Sequence, residues 1–139
     1  MFKTILKATE NFCIHQIRCE YSIEDEINKD RTLIAYIDID AQSGDKYRVY
    51  ISADKEFVQK VSYIFLEEEE SDDETLKDML LETTNLIVGS AKVLAEESDD
   101  SYNIKTPFFE KVGSFDYDYD DIKSFNMDNS KLSIAIKEL

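Results

Sequence analysis

Apolar positions recur along this chain at two different periods, and the change from one to the other marks its elements. Thr32 to Asp40 (TLIAYIDID) alternates apolar and polar side chains, the pattern of a half-buried strand. After the turn AQSGD, Lys46 to Ser52 (KYRVYIS) alternates again, so residues 32–52 predict a β-hairpin. Ile122 to Met127 and Lys131 to Leu139 predict two more strands joined at Asp128-Asn129, with Leu132, Ile134 and Ile136 on one face of the last. Tyr102 to Val112 reads as an extended segment containing the one proline, Pro107, and the polar loop GSFDYDYDD follows it. Residues 12–23 alternate loosely through Phe12, Ile14, Ile17, Cys19, Tyr21 and Ile23, which predicts a strand with one irregularity. The first ten residues fit either a short helix or an extended lead-in, and Ile23 to Arg31 reads as a charged loop.

Between these strands the period becomes helical. Phe57, Val61, Ile64 and Phe65 line one face of residues 53–66, with Ser52 placed to cap the start. The like-charge run EEEESDDE at 67–74 reads as a solvated linker, and Ser71 followed by Glu74 fits a capping box for the next helix. From Asp72 to about Glu97 the helical period runs without proline. The order ββ-α-α-βββ predicts an α+β fold, a mainly antiparallel sheet with two long helices packed on one face, formed by residues 1–139 as one domain.

Charge and composition narrow the function. With Lys+Arg 16 against Asp+Glu 31 the net charge is −15, which leaves no basic stripe for nucleic acid and opposes docking on an anionic membrane. A partner with a basic rim is favoured instead. Eight Phe and eight Tyr argue for a packed core rather than a disordered acidic chain. The opening MFKTILKATENF has too short an apolar run for a signal peptide, and Cys13 and Cys19 have no metal spacing, so the expectation is a cytoplasmic protein with two buried reduced thiols. His15 falls in a predicted strand, neither cysteine sits in a nucleophile motif, and the three glycines form no phosphate-binding turn. A self-contained hydrolytic site has no candidates.

The chemistry concentrates on one face of the long helix. At about 100° per residue Leu76, Leu80, Ile87, Ala91 and Leu94 form the core stripe, while Asp78, Glu82, Asn85 and Gly89 fall within roughly 40° of one another on the opposite side. Asn is a poor helix former there, and mid-helix Gly costs about 1 kcal/mol against Ala. Gly89 removes a side chain so that another molecule can approach closely, and Glu82 and Asn85 project side by side as an acceptor and a donor–acceptor. A solvated helix with an incidental glycine is the competing explanation of the same residues.

Asp78-x-x-x-Glu82-x-x-Asn85, followed by Gly89, Lys92 and then Pro107 with 21 residues between it and Asn85 (107 − 85 − 1), resembles the signature of the CheC/CheX/FliY family of chemotaxis phosphatases. ETTNLIVGSAKVLAEE is similar to that family's motif helix, and the single motif helix is most similar to CheX. The stretch before the first predicted strand is shorter than the amphipathic helix with which the CheX pattern begins.

The resemblance implies hydrolysis of the aspartyl phosphate of a phosphorylated CheY-like response regulator, terminating a chemotaxis signal. An acyl phosphate is already activated, so the tasks left are to place an in-line water and to compensate charge. By resemblance Asn85 positions the water and Glu82 anchors to the regulator's active-site lysine. Asp78 and Gly89 then belong to the partner-binding face. No cofactor or metal of its own is implied, Mg²⁺ being expected in the regulator. The resemblance also implies a homodimer formed through sheets; strand 131–139 is then either a pairing edge or covered within the chain. The alternative is a non-catalytic binding or adaptor module of the same fold, docking on a receiver domain or a flagellar motor component. A blocker of basic surfaces by charge alone is a third reading.

Overall fold

In the computed structural model, which describes residues 1–27 and 31–139, seven strands form one antiparallel sheet. In chain order they are β1 (Ser22–Glu24), β2 (Thr32–Ala41), β3 (Lys46–Ala53), β4 (Tyr102–Ile104), β5 (Phe108–Gly113), β6 (Asp121–Met127) and β7 (Ser130–Glu138). They lie side by side as β1-β6-β7-β3-β2-β4, with β5 sharing the outer edge of β2. The hairpin expected at 32–52 is β2–β3, paired from Leu33↔Ala53 to Asp40↔Lys46. The C-terminal strand is not an edge: β7 pairs with β3 on one side and β6 on the other, so its unpaired groups are covered within the chain.

Three helices cover one face of the sheet, α1 (Phe2–Asn11), α2 (Lys55–Leu66) and α3 (Asp73–Glu97). The α+β class holds, with one helix more than the two expected. The strand predicted over 12–23 is instead the continuation of α1 into a π-helical turn, Phe12–Ile17, ended by Arg18 in left-handed backbone with φ 60°. Its N–H bonds the carbonyl of Cys13 at 2.8 Å. The reason is burial. Ile5, Ala8, Phe12, Cys13 and Ile17 recur at a helical interval and are buried in the main core, α1 against α3 and the π-helical turn beside α2, whereas Ile14, on which the alternating pattern depended, is 48% exposed. Only Ser22–Glu24 of that stretch is a strand, paired to β6. The charged loop expected at 23–31 lies partly outside the described residues.

Capping differs from expectation by one or two positions. Asp54, not Ser52, starts α2: one carboxylate oxygen accepts from Phe57 N–H and the other from Lys131 N–H, both at 2.9 Å, tying α2 to the β6–β7 turn. Ser52 is buried in the sheet, hydrogen-bonded to Thr32. Asp72, not Ser71, caps α3 by accepting from Thr75 N–H at 2.8 Å. The side chains of the acidic run Glu67–Glu70 are exposed, as a solvated linker requires. Ser71 beside them is buried, its N–H donated to Gln59 at 2.8 Å, so the connection is folded back onto α2.

The loop after β5 is more than a polar connection. Phe115 packs edge-on to Tyr50 and Tyr117 stacks on it, at 5.2 and 4.9 Å between ring centres, closing a second small core with Ile34, Ile122 and Ala135 on the sheet face away from the helices.

Candidate functional site: an outward ridge on α3

The buried face of α3 comprises Leu76, Leu80, Thr83, Thr84, Ile87, Val88, Ala91 and Ala95. Leu80 and Ile87 are fully enclosed, each worth about 1.5–3 kcal/mol of apolar burial. Thr83 and Thr84 go inward without leaving polar atoms unpaired, because their hydroxyls donate to the carbonyls of Met79 and Leu80, both at 2.8 Å. That inward pair turns the residues on either side of it, Glu82 and Asn85, away from the core.

Asp78, Glu82 and Asn85 are exposed, and Gly89 is half-buried one turn beyond Asn85. The four expected residues therefore share one outward ridge. Among the described residues, the side chains of Asp78, Glu82 and Asn85 make no hydrogen bond or ion pair within the chain. A Cβ placed on Gly89 would meet nothing within 4 Å, so the fold does not require glycine there. The backbone beside it is braced: Tyr102 O–H, buried beneath α3, donates to the Val88 carbonyl at 2.7 Å. Burial holds that phenol well above the usual tyrosine range. Pro107 stands immediately before β5 and ends the short link from β4.

The ridge is convex. A cavity of about 890 Å³ lies along α2 between Lys55, Gln59, Tyr63, Cys19 and Asn129, and holds none of the four ridge residues. Among the described residues no three His, Cys, Asp or Glu side chains come together as a metal-binding group. His15 lies in the π-helical turn and not in a strand, exposed beside α3. Cys13 is buried and Cys19 half-buried, both as free thiols. A ridge of unpartnered donor and acceptor groups beside an open glycine suits insertion into a concave site on another molecule. It offers no enclosed volume in which a small substrate could be held.

The family sequence model described as "Chemotaxis phosphatase CheX" matches residues 33–120, a span that contains the whole ridge and Pro107. The chain belongs to the CheX family. The shared fold extends over nearly the whole chain. The chemotaxis protein CheX of Vibrio vulnificus is 18% identical, with a TM-score of 0.79 over 97% of this chain and 95% of that one. CheX of Desulfovibrio desulfuricans is 16% identical, with a TM-score of 0.75 over 99% and 97%. A CheX–CheY–BeF₃–Mg²⁺ complex from Borrelia burgdorferi superposes with a TM-score of 0.70 at 18% identity, over 99% and 97%. At these identities the likeness is one of fold. No curated protein matches the chain in sequence. Among the described residues, no helix of the CheX-family chain is long and apolar enough to cross a membrane.

One neighbouring feature had not been singled out from the sequence. Leu86, 38% exposed, borders a cleft of about 230 Å³ between the π-helical turn, the end of α2 and α3. Its signal was a leucine lying roughly 100° around the helix from Asn85, off the main core stripe.

Proposed function

We propose that the chain hydrolyses the aspartyl phosphate of a CheY-like response regulator and so terminates a chemotaxis signal. The observation that carries this reading is the ridge: Glu82 and Asn85 stand exposed and unpartnered beside a glycine that the fold does not need. On this reading α3 enters the regulator's phosphorylation site. Glu82 pairs with a lysine there and fixes the helix, a charge-assisted bond strengthened by the loss of water at the interface. Asn85 then hydrogen-bonds the attacking water in line with the phosphorus, its amide offering both a donor and an acceptor. Asp78, one turn before Glu82, meets the basic rim of the partner, and Gly89 lets the partner's backbone pass close to α3. The regulator's Mg²⁺ supplies charge compensation at the phosphoryl group when bound there, as the composition of the Borrelia burgdorferi complex supports. The chain's part is positioning, and the reaction belongs where the regulator works, in the cytoplasm.

The test is the decay of a phosphorylated CheY-like receiver with Mg²⁺, with and without the protein and its Asn85→Ala variant. Acceleration by the unaltered chain should fall by about 10²-fold in the variant while binding persists, because the lost contact acts mainly in the transition state. Turnover retained by Asn85→Ala refutes the mechanism. Binding without acceleration by the unaltered chain makes it a docking module.

A further inference from the structure

Beside the ridge lies a surface of opposite character. The cleft next to Leu86 mixes the apolar Phe12, Phe65, Leu86 and Ile87 with the polar Asn11, His15, Gln16 and Ser90, and has no carboxylate, lysine or arginine on its walls. In a chain with 31 acidic residues and a net charge of −15, an uncharged recess bordering an acidic ridge is a local exception. Three other cavities among the described residues, along α2, beside Phe109 and beside Arg18, carry charged side chains on their walls. Phe65 and Leu86 are each 38% exposed, so two large apolar side chains on different helices face water at its mouth.

We propose that this cleft seats an apolar side chain of the same response regulator that the ridge engages, and thereby sets which regulator is accepted. The proposal rests on the phosphatase reading, because the occupant must arrive with the partner of Glu82. The charges decide its chemistry. Glu82 and Asp78 call for a cation, whereas a recess without carboxylate, lysine or arginine, with Phe65 and Leu86 exposed at its mouth, calls for a neutral side chain that is mainly apolar. Leu86 follows Glu82 by one helical turn, about 6 Å along the axis, so the recognised epitope is a lysine with an apolar side chain at a comparable spacing, about 6–10 Å from it. The lysine alone is generic to a phosphoaspartate site. Complementarity in the cleft distinguishes one receiver from another through affinity, since area removed from water before chemistry lowers KM without touching the in-line water.

The experiment measures receiver dephosphorylation over a range of phosphorylated receiver concentrations for the unaltered chain, Leu86→Ala, Ser90→Phe and Asn85→Ala. Leu86→Ala, which empties one wall, and Ser90→Phe, which fills the recess from an exposed position, should each raise KM by about tenfold with kcat within twofold. Asn85→Ala should do the reverse. Unchanged KM in both cleft variants, with turnover still dependent on Asn85, overturns this inference and leaves the phosphatase reading standing. Lack of Asn85-dependent turnover in the unaltered chain overturns both. Sedimentation of the free chain separates the remaining occupant: a concentration-dependent dimer dissolved by Ser90→Phe shows that a second copy fills the cleft, and also overturns the proposal.

Discussion

Gly89 offers a measurement in which stability and function should move in opposite directions. It sits inside a 25-residue helix, where glycine costs about 1 kcal/mol relative to alanine. Its backbone is ordinary: Gly44 is the described glycine with positive φ, so no left-handed conformation protects residue 89. Nothing lies within 4 Å of the position a Cβ would occupy, so an added methyl meets no clash and buries no polar group. Gly89→Ala should therefore realise nearly the full propensity gain, about 1 kcal/mol, which for a chain of this length raises Tm by about 4 °C. The bulkier Gly89→Leu should also fold, keeping most of that gain. Function should respond in the other direction, because the space left by the missing side chain is where the partner passes. Receiver affinity should fall only slightly for Gly89→Ala, and by about tenfold or more for Gly89→Leu. Calorimetric melts paired with receiver binding by titration would measure both sides. A lower Tm for Gly89→Ala would refute the geometry. Undiminished binding and turnover in Gly89→Leu would refute the functional part and leave the glycine an incidental weakness, braced by Tyr102.

Glu82→Ala should leave the melting temperature unchanged, since the carboxylate has no described partner within the chain, yet weaken the receiver complex as well as its turnover; unchanged affinity in a binding titration would remove its anchoring role. Asp54→Ala should destabilise by about 2 kcal/mol in a urea titration, because one carboxylate serves both the Phe57 and the Lys131 N–H groups. A loss below about 0.5 kcal/mol would show that water replaces it. Burial pushes the Cys13 thiol up to about 12, so at pH 8 an alkylating reagent followed by mass spectrometry should label Cys19 in the folded chain and Cys13 only in denaturant. Equal native labelling rates would contradict the packing of α1.

Much of the architecture was legible because its signals are local. The β2–β3 hairpin announces itself by its alternation, clearest at Ile37-Asp38-Ile39-Asp40, and β2 buries Leu33, Ala35, Ile37 and Ile39 on the helix side as that pattern demands. The ridge was legible for the same reason: residues at i, i+4, i+7 and i+11 share a helix face whatever the helix packs against. The N-terminal segment was not. Ile14 and Tyr21 complete an alternation in the sequence, but what forms there is decided by the core beneath α2 and α3, which buries Ile5, Ala8, Phe12 and Ile17 together. Caps were misassigned by one or two residues because Ser52 and Ser71 are equally good capping types until burial removes them.

The sequence by itself thus determined the periods, the β2–β3 hairpin, the two long helices, the last two strands and the set of side chains on the outward face of α3, since each depends on spacing along the chain alone; the extended segment read over 102–112 is instead two strands, β4 and β5, which pair separately with β2. Tertiary structure decided what depends on residues far apart. It placed β7 between β3 and β6, folded the Tyr/Asp loop into a second core over Tyr50, and turned 12–17 into a helical continuation of α1 beside α2. It also set an uncharged cleft beside an acidic ridge. Those outcomes rest on which apolar surfaces are complementary in three dimensions, and burial, unlike helical or strand period, leaves no fixed interval in a sequence.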